Sequence, residues 1–96
     1  MNKREFESIT NLEYKFNTTF NTLISEISSY ERKGEPLTLR EVLTMGFNNV
    51  ILDGVMGYDE DDFSDEYLNT KVTFDYWDYD NDNYRNVYLV KYSDVV

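Results

Sequence analysis

The sequence contains no cysteine and no histidine. Disulfides, thiol nucleophiles, zinc sites built from cysteine or histidine, and serine–histidine catalysis are therefore excluded. Long apolar runs are also missing, because the longest uninterrupted aliphatic run extends only from Val50 to Leu52. A membrane-spanning helix needs about 18 apolar residues or more. We therefore expect a soluble, cytoplasmic protein with neither a signal segment nor a membrane anchor.

Basic residues are scarce. Nine lysines and arginines stand against nineteen acidic residues, which gives a net charge of −10. This charge disfavours direct binding to nucleic acid or to an anionic membrane, because phosphate groups would be repelled. The expected partner is a basic protein. The 96 residues, of which 41% are hydrophobic, predict a single domain over 1–96.

The negative charge is concentrated in the second half of the chain. The helical half, 1–52, has a net charge of −1, whereas 53–96 has a net charge of −9. Seven of the nine tyrosines and the only tryptophan also lie between Tyr58 and Tyr92. The second half therefore combines an acidic surface with aromatic side chains.

Apolar residues near the N-terminus recur with an average spacing close to that of a helical stripe. This spacing predicts a long helix over 3–32, which Gly34 and Pro36 would end. A competing period of two runs from Tyr14 to Phe20. The stripe either packs in the core or contacts a second chain, so the protein is a monomer or a homodimer. Its members are Phe6, Ile9, Leu12, Phe16, Phe20, Leu23, Ile27 and Tyr30.

A second helix is predicted to begin near Leu39. Thr38 and Glu41 have the spacing of a capping box, in which each side chain accepts a hydrogen bond from a backbone N–H at the start of a helix. The apolar face continues to Leu52, but Gly46 is unfavourable inside a helix. Two alternatives therefore stay open, namely a helix through Leu52 or a helix ending at Gly46 followed by a short strand.

The second half predicts a loop and a β-hairpin. The acidic run that begins at Asp59 is typical of a solvated loop, and one helical turn is expected near 64–68. Alternating apolar residues in 72–77 and 84–92 flank a turn at 80–83 and predict two paired strands. The fold class is α+β, with a long N-terminal helix and a second helix packed against a C-terminal antiparallel hairpin or small sheet.

Two chemical interpretations of the carboxylates are weak. Asp78, Asp80 and Asp82 match positions of an EF-hand calcium loop, but Asn83 replaces its glycine and Leu89 replaces its bidentate glutamate. This favours a solvated hairpin turn.

Catalytic carboxylates need a concave pocket that shifts a pKa, and the acids here fall in loops and turns. We therefore predict no catalytic residue, no metal site and no cofactor.

The charge distribution favours a protein-binding surface, although the acids would also serve solubility alone. Concentrating this much like charge opposes compaction, and aromatic residues are enriched among binding hot spots. The predicted partner-binding residues are Asp59, Glu60, Asp61, Asp62, Asp65, Glu66, Asp75, Trp77, Asp78, Tyr79, Asp80 and Asp82.

In size, charge and the acidic aromatic segment from Asp53 to Asp82, the chain resembles the small acidic inhibitor proteins of phages and mobile elements. These include anti-restriction proteins, anti-CRISPR proteins and inhibitors of uracil-DNA glycosylase, whose carboxylates imitate DNA phosphates. The resemblance implies a DNA mimic that binds the basic nucleic-acid-binding surface of a target enzyme. Two alternatives are an immunity protein that neutralises a cationic toxin or nuclease, and a structural or assembly protein.

Overall fold

Residues 19–80 and 84–95, which the computed structural model describes, contain three α-helices, two short 3₁₀ helices and one four-stranded sheet. Helix α1 covers the described residues 19–32, α2 covers Leu39–Leu43 and α3 covers Asp65–Leu68. The strands are β1 (Asn49–Leu52), β2 (Val55–Gly57), β3 (Val72–Tyr79) and β4 (Arg85–Lys91). The 3₁₀ helices are Glu60–Asp62 and Tyr92–Asp94. The predicted α+β class is confirmed.

The described part of α1 belongs to the core. Phe20 and Ile27, two members of the predicted stripe, are 3% and 0% exposed, and Leu23 and Ile24 pack against the same core. The helix ends before Gly34, whose φ of +75° is a conformation that favours glycine. The part of the predicted helix over 3–18 lies outside the described residues.

Helix α2 begins where the sequence predicts. Thr38 accepts a hydrogen bond from the Glu41 N–H, and the Glu41 carboxylate accepts one from the Thr38 N–H at 3.1 Å. The helix ends well before Leu52, and Gly46 follows it with a φ of +92°. The second alternative is therefore the one observed, because Asn49–Leu52 forms strand β1 instead of helix.

Strands β1 and β2 form a tight hairpin. Asp53 and Gly54 connect them, both with positive φ, at 53° and 79°. This is the backbone of a type I′ turn, for which the Asp-Gly pair is well suited. The Asp-Gly pair is a turn signal in the sequence. Strand Val55–Gly57 is not among the predicted elements, because a three-residue strand is too short to show a recognisable alternation.

The sheet has the strand order β2-β1-β4-β3. Strands β3 and β4 pair antiparallel, as the predicted hairpin requires, while β1 lies parallel to β4. Between Phe74 and Tyr76 the register shifts by one residue, so Asp75 forms a β-bulge. Simple alternation would place Phe74 and Tyr76 on the same face, and the bulge separates them.

One face of the sheet, the helix-covered face, carries the core. Val50, Leu52, Val87 and Leu89 project from it into a cluster with helical residues. The opposite face, called the open face below, carries Asn49, Ile51, Met56, Tyr76, Asp78, Asn86 and Tyr88, as strand alternation and the register require. None of the helices within the described ranges has both the length and the apolar character needed to cross a bilayer.

Candidate functional site

The acidic loop, residues 58–66, is folded by two of its own carboxylates. Asp59 accepts a hydrogen bond from the Asp61 N–H at 2.9 Å, which caps the 3₁₀ helix Glu60–Asp62. Asp62 reaches back and accepts from the N–H groups of Tyr58 at 2.9 Å and Asp59 at 3.3 Å. These carboxylates satisfy backbone donors that the short turn leaves free. Asp59 and Asp62 therefore hold the loop in one conformation.

The other four acids of the loop point towards solvent. Glu60 forms an exposed ion pair with Arg40 of α2 at 3.4 Å. Asp61 is exposed, and Asp65 and Glu66 are exposed in the first turn of α3. Carboxylates at that position interact favourably with the positive end of the helix. The loop thus presents a group of carboxylates on a folded backbone.

Gly57 lets this loop pack closely against strand β2. A side chain at Gly57 would overlap the Asp62 Cβ, and its Cβ would lie 2.8 Å from the Phe63 ring. Phe63 is buried in the core directly after the 3₁₀ helix. The position of the acidic loop on the sheet therefore depends on a glycine at this point and an aromatic anchor that follows.

A second group of carboxylates lies on the open face, near the end of the β3–β4 hairpin. Asp78 accepts hydrogen bonds from the Asn86 side-chain amide at 2.9 Å and from the Tyr88 hydroxyl at 3.3 Å. Asn49 donates to Asn86 at 3.0 Å and to Asp80 at 3.3 Å. These contacts join three strands into one side-chain network. The network holds both carboxylates in place.

An aromatic pair lies beside this network. The rings of Tyr76 and Tyr88 stack with centroids 4.2 Å apart and an interplanar angle of 6°. Partial burial raises the pKa of the Tyr88 hydroxyl above its usual value, and the negative charge of Asp78 raises it further. Tyr88 therefore stays a neutral hydrogen-bond donor to Asp78 at neutral pH.

Trp77 and Tyr79 lie on the helix-covered face. Trp77 makes an edge contact with Phe20 at 5.2 Å and with Tyr79 at 5.1 Å. The Arg85 guanidinium lies over the rings of Phe20 at 4.5 Å, Trp77 at 5.1 Å and Tyr79 at 5.6 Å. Arg85 is 2% exposed, so its charge is held among aromatic faces.

The predicted contact residues of β3 are consequently divided between the two faces. Asp78 and Asp80 belong to the open-face network, whereas Trp77 and Tyr79 are edge residues of the aromatic cluster on the other side. Asp75 is exposed at the bulge. The predicted contact residues of this strand therefore do not share one face, because neighbouring residues of a strand point in opposite directions.

The topology brings both acidic segments to the same end of the sheet. Strands β2 and β3 run antiparallel to the central strands β1 and β4, so both end at the same side. The acidic loop follows β2, and Asp80 follows the last residue of β3. Strands β2 and β3 form opposite edges of this four-stranded sheet. Three inter-strand spacings lie between them, which places them about 14 Å apart.

The described residues offer no site for a metal ion. Across 19–80 and 84–95, no three acidic, cysteine or histidine side chains are grouped to hold one. Asp82, the third carboxylate of the calcium-like pattern, lies outside the described residues. Asp78 and Asp80 use their oxygens in the hydrogen bonds given above.

Several residues of the site were not among the predicted contacts. Asn49 and Asn86 organise the open-face network, Tyr76 completes the aromatic stack, and Arg85 fills the aromatic cluster. No local pattern marks these residues, because each acquires its partner from a different strand. The register of the sheet was the missing information.

Comparison with known proteins assigns no family to this arrangement. No protein-family model matches the chain, and comparisons with curated proteins and with solved structures found no match. Function is therefore inferred from the surface itself.

Proposed function

We propose that this protein is an inhibitor that binds the basic nucleic-acid-binding surface of a target protein in place of nucleic acid. The observation that carries the proposal is the placement of two acidic segments, the loop 58–66 and the end of β3 with Asp80, at one end of the sheet. A nucleic-acid-binding groove presents lysine and arginine side chains spaced for phosphate groups. An array of carboxylates on a folded scaffold competes for those side chains.

The hydrogen bonds within the surface support a binding role. Ordering flexible side chains costs free energy when two proteins associate. Asp78 is already held by Asn86 and Tyr88, and Asp59 by a backbone N–H of its own loop. A surface whose carboxylates are held before contact loses less conformational entropy on binding. Electrostatic attraction then increases the association rate.

The test compares the position of charge at constant net charge. In one variant the exposed acids of the loop are neutralised as Asp61→Asn, Asp65→Asn and Glu66→Gln. In the control, three acids of the helical half are neutralised as Glu26→Gln, Glu31→Gln and Glu35→Gln. Asp59 and Asp62 are left intact because they fold the loop. Both variants have a net charge of −7, three units above the native −10.

The assay begins with capture of the target from lysate on the full-length chain at about 50 mM and about 500 mM salt. The captured protein is then mixed with a fluorescein-labelled DNA duplex, and displacement of the duplex is followed by anisotropy. We expect the loop variant to displace DNA at least about tenfold less effectively, and the control variant to differ by less than about threefold. Equal loss in both variants, or binding of the target without displacement of the duplex, contradicts DNA mimicry.

A further inference from the structure

Strand β3 forms one edge of the sheet, and along most of its length no other described strand pairs with its outer side. The start of the strand is covered. The Val72 N–H donates to the Leu37 carbonyl at 2.8 Å, and Thr38 forms an isolated bridge with Lys71. Beyond Val72, the outer side of the strand has no such partner within the described part of the chain.

The backbone groups of alternate β3 residues point outward along this edge. In an antiparallel ladder, opposed pairs that exchange two hydrogen bonds alternate with pairs that exchange none. The Asp80 N–H donates to the Tyr84 carbonyl at 2.9 Å, so the adjoining pair made by Tyr79 exchanges none. The same holds two residues earlier for Trp77. The N–H and C=O groups of Trp77 and Tyr79 therefore point away from β4.

This part of the edge is accessible. All five residues of 75–79 are exposed, and Trp77 and Tyr79 are 36% and 47% exposed. A regular strand with outward backbone groups is a template to which another strand can add. The bulge at Asp75 interrupts the edge upstream. The stretch from Tyr76 to Tyr79 continues with regular pairing.

The charge along the edge indicates what kind of strand fits it. Asp75, Asp78 and Asp80 occur within six residues of the edge strand and its end. A second copy of this chain would bring the same carboxylates towards one another, and like charges on neighbouring strands are destabilising. A segment with lysine or arginine at alternate positions would place opposite charges there. The exposed ring of Tyr76 also favours a neighbouring cation.

We infer that the outer edge of β3 binds an extended, basic segment of the partner protein by strand addition. The backbone groups of Trp77 and Tyr79 form the new hydrogen bonds, and the aspartates of the strand select a basic segment. The inference rests on the proposed function in one respect, since it takes the partner to be basic. It adds the mode of binding.

The binding probe is a synthetic eight-residue peptide in which lysine and valine alternate, with both ends blocked. Trp77 is the only tryptophan, so its fluorescence reports directly on the edge. Two control peptides isolate the two parts of the inference. The first replaces every lysine with glutamate, and the second keeps the lysines but has every backbone amide N-methylated. We expect saturable binding of the lysine peptide, and affinity at least about tenfold weaker for each control.

A pair of substitutions at one position tests the backbone contact in the full-length chain. Tyr79→Pro removes an N–H that points away from β4, a position where a strand tolerates proline. Tyr79→Ala removes the same ring but keeps the N–H. We expect Tyr79→Pro to weaken peptide binding about tenfold relative to Tyr79→Ala, with circular dichroism confirming that both variants are folded. If the proline variant does not fold, the N-methylated peptide provides the same test on the native protein.

Amide hydrogen exchange of the free protein tests whether the edge is open. We expect the amides of Trp77 and Tyr79 to exchange faster than that of Asp78, which bonds to β4. Equal protection of all three would show that the chain itself occupies the edge and would overturn the inference. A dimer in sedimentation that is disrupted by Tyr79→Pro would identify a second copy as the occupant, with the same consequence.

The strand-addition mode and the basic character of the partner fail separately. If N-methylation and Tyr79→Pro have no effect while the glutamate peptide still fails to bind, strand addition is wrong and the acidic surface of the proposed function stands. If the lysine and glutamate peptides bind equally and Tyr79→Pro abolishes both, the edge binds strands without regard to charge. That outcome removes the basic partner from the inference and counts against the proposed function.

Discussion

The two faces of the sheet surround charged groups differently, although the two charged residues, Arg85 and Asp78, come from the same hairpin. On the helix-covered face, the Arg85 cation is buried among the rings of Phe20, Trp77 and Tyr79. On the open face, the Asp78 carboxylate is held by Asn86 and Tyr88. One face uses a cation inside an aromatic cluster, and the other holds an anion in a polar network at the surface.

This difference separates residues that are neighbours in the sequence. Trp77 contributes to the packing beneath the sheet, while Tyr76 and Asp78 on either side of it belong to the open face. The position of an aromatic residue within an acidic segment therefore does not by itself make it a binding residue. Its role depends on the face to which it belongs, and substitutions on the two faces should have different consequences.

The largest expected difference between the faces is in stability. Phe20→Ser removes a ring that is 3% exposed and contacts Phe47 and Trp77, and it should lower the free energy of unfolding by about 3 to 5 kcal/mol. Tyr76→Ser removes a ring that is 49% exposed on the open face, and it should cost about 1 kcal/mol or less. Urea unfolding followed by circular dichroism measures both. Similar losses would mean that the open face contributes to the core.

The next largest difference in stability is expected between substitutions of two aspartates of β3. Asp78→Ala removes the acceptor of the Asn86 amide, and because Asn86 is buried the loss should be about 1 to 3 kcal/mol. Asp75→Ala changes an exposed side chain at the bulge and should alter stability by no more than about 0.5 kcal/mol. Urea midpoints at fixed salt test this. A destabilising Asp75→Ala with a neutral Asp78→Ala would show that the network contributes nothing to the fold.

Lowering the pH should reduce the stability that the Glu41 carboxylate contributes through the N-terminal cap of α2. Hydrogen bonds from the Thr38 backbone and hydroxyl lower the pKa of the Glu41 carboxyl below its usual 4.5. A lowered pKa contributes stability that is present above pH 4.5 and is lost as the pH falls through the lower folded value. Glu41→Gln has no titrating carboxyl, so the stability gap between it and the native protein should shrink between about pH 6 and about pH 3. A gap independent of pH in urea unfolding would show that the cap does not depend on ionisation.

Raising the pH should reduce the stability that the Tyr88 hydroxyl contributes on the open face. This is the smallest of the expected effects. Burial first, and then Asp78, raise the pKa of Tyr88 above 10.0. Its contribution to stability is present below pH 10.0 and is lost as the pH rises through the higher folded value. Asp78→Asn should lower the pKa of Tyr88 without restoring its usual value, because burial remains. Titration of the ring carbon resonances by NMR measures the change. An unaltered pKa would separate Tyr88 from Asp78.

The local sequence was sufficient for the elements whose signals lie within a few residues. The cap formed by Thr38 and Glu41, the turn at Asp53 and Gly54, and the two long strands of the hairpin all follow from neighbouring side chains and backbone preferences. The acidic loop and the single turn of α3 were predicted for the same reason. Each depends on contacts that close within one turn of helix or between adjacent strands.

Other features depend on which strands meet. Asn49–Leu52 has an apolar pattern that suits a helix as well as a strand, and only its parallel pairing with β4 decides between them. The bulge at Asp75 shifts the alternation of β3, so the face of Tyr76 cannot be read from spacing alone. The candidate site has the same dependence, since Asn49, Asn86 and Asp78 come from three different strands.

By itself, then, the sequence determined the charge, its concentration in 53–96, and the local caps and turns, because these are properties of composition and of short segments. Only the tertiary structure decided that two acidic segments lie at one end of the sheet, that Trp77 and Asp78 have opposite surroundings, and that β3 is an edge strand among the described residues. The physical reason is register. A shift of one residue in a strand exchanges its two faces, and that shift is set by pairing between segments distant in the chain.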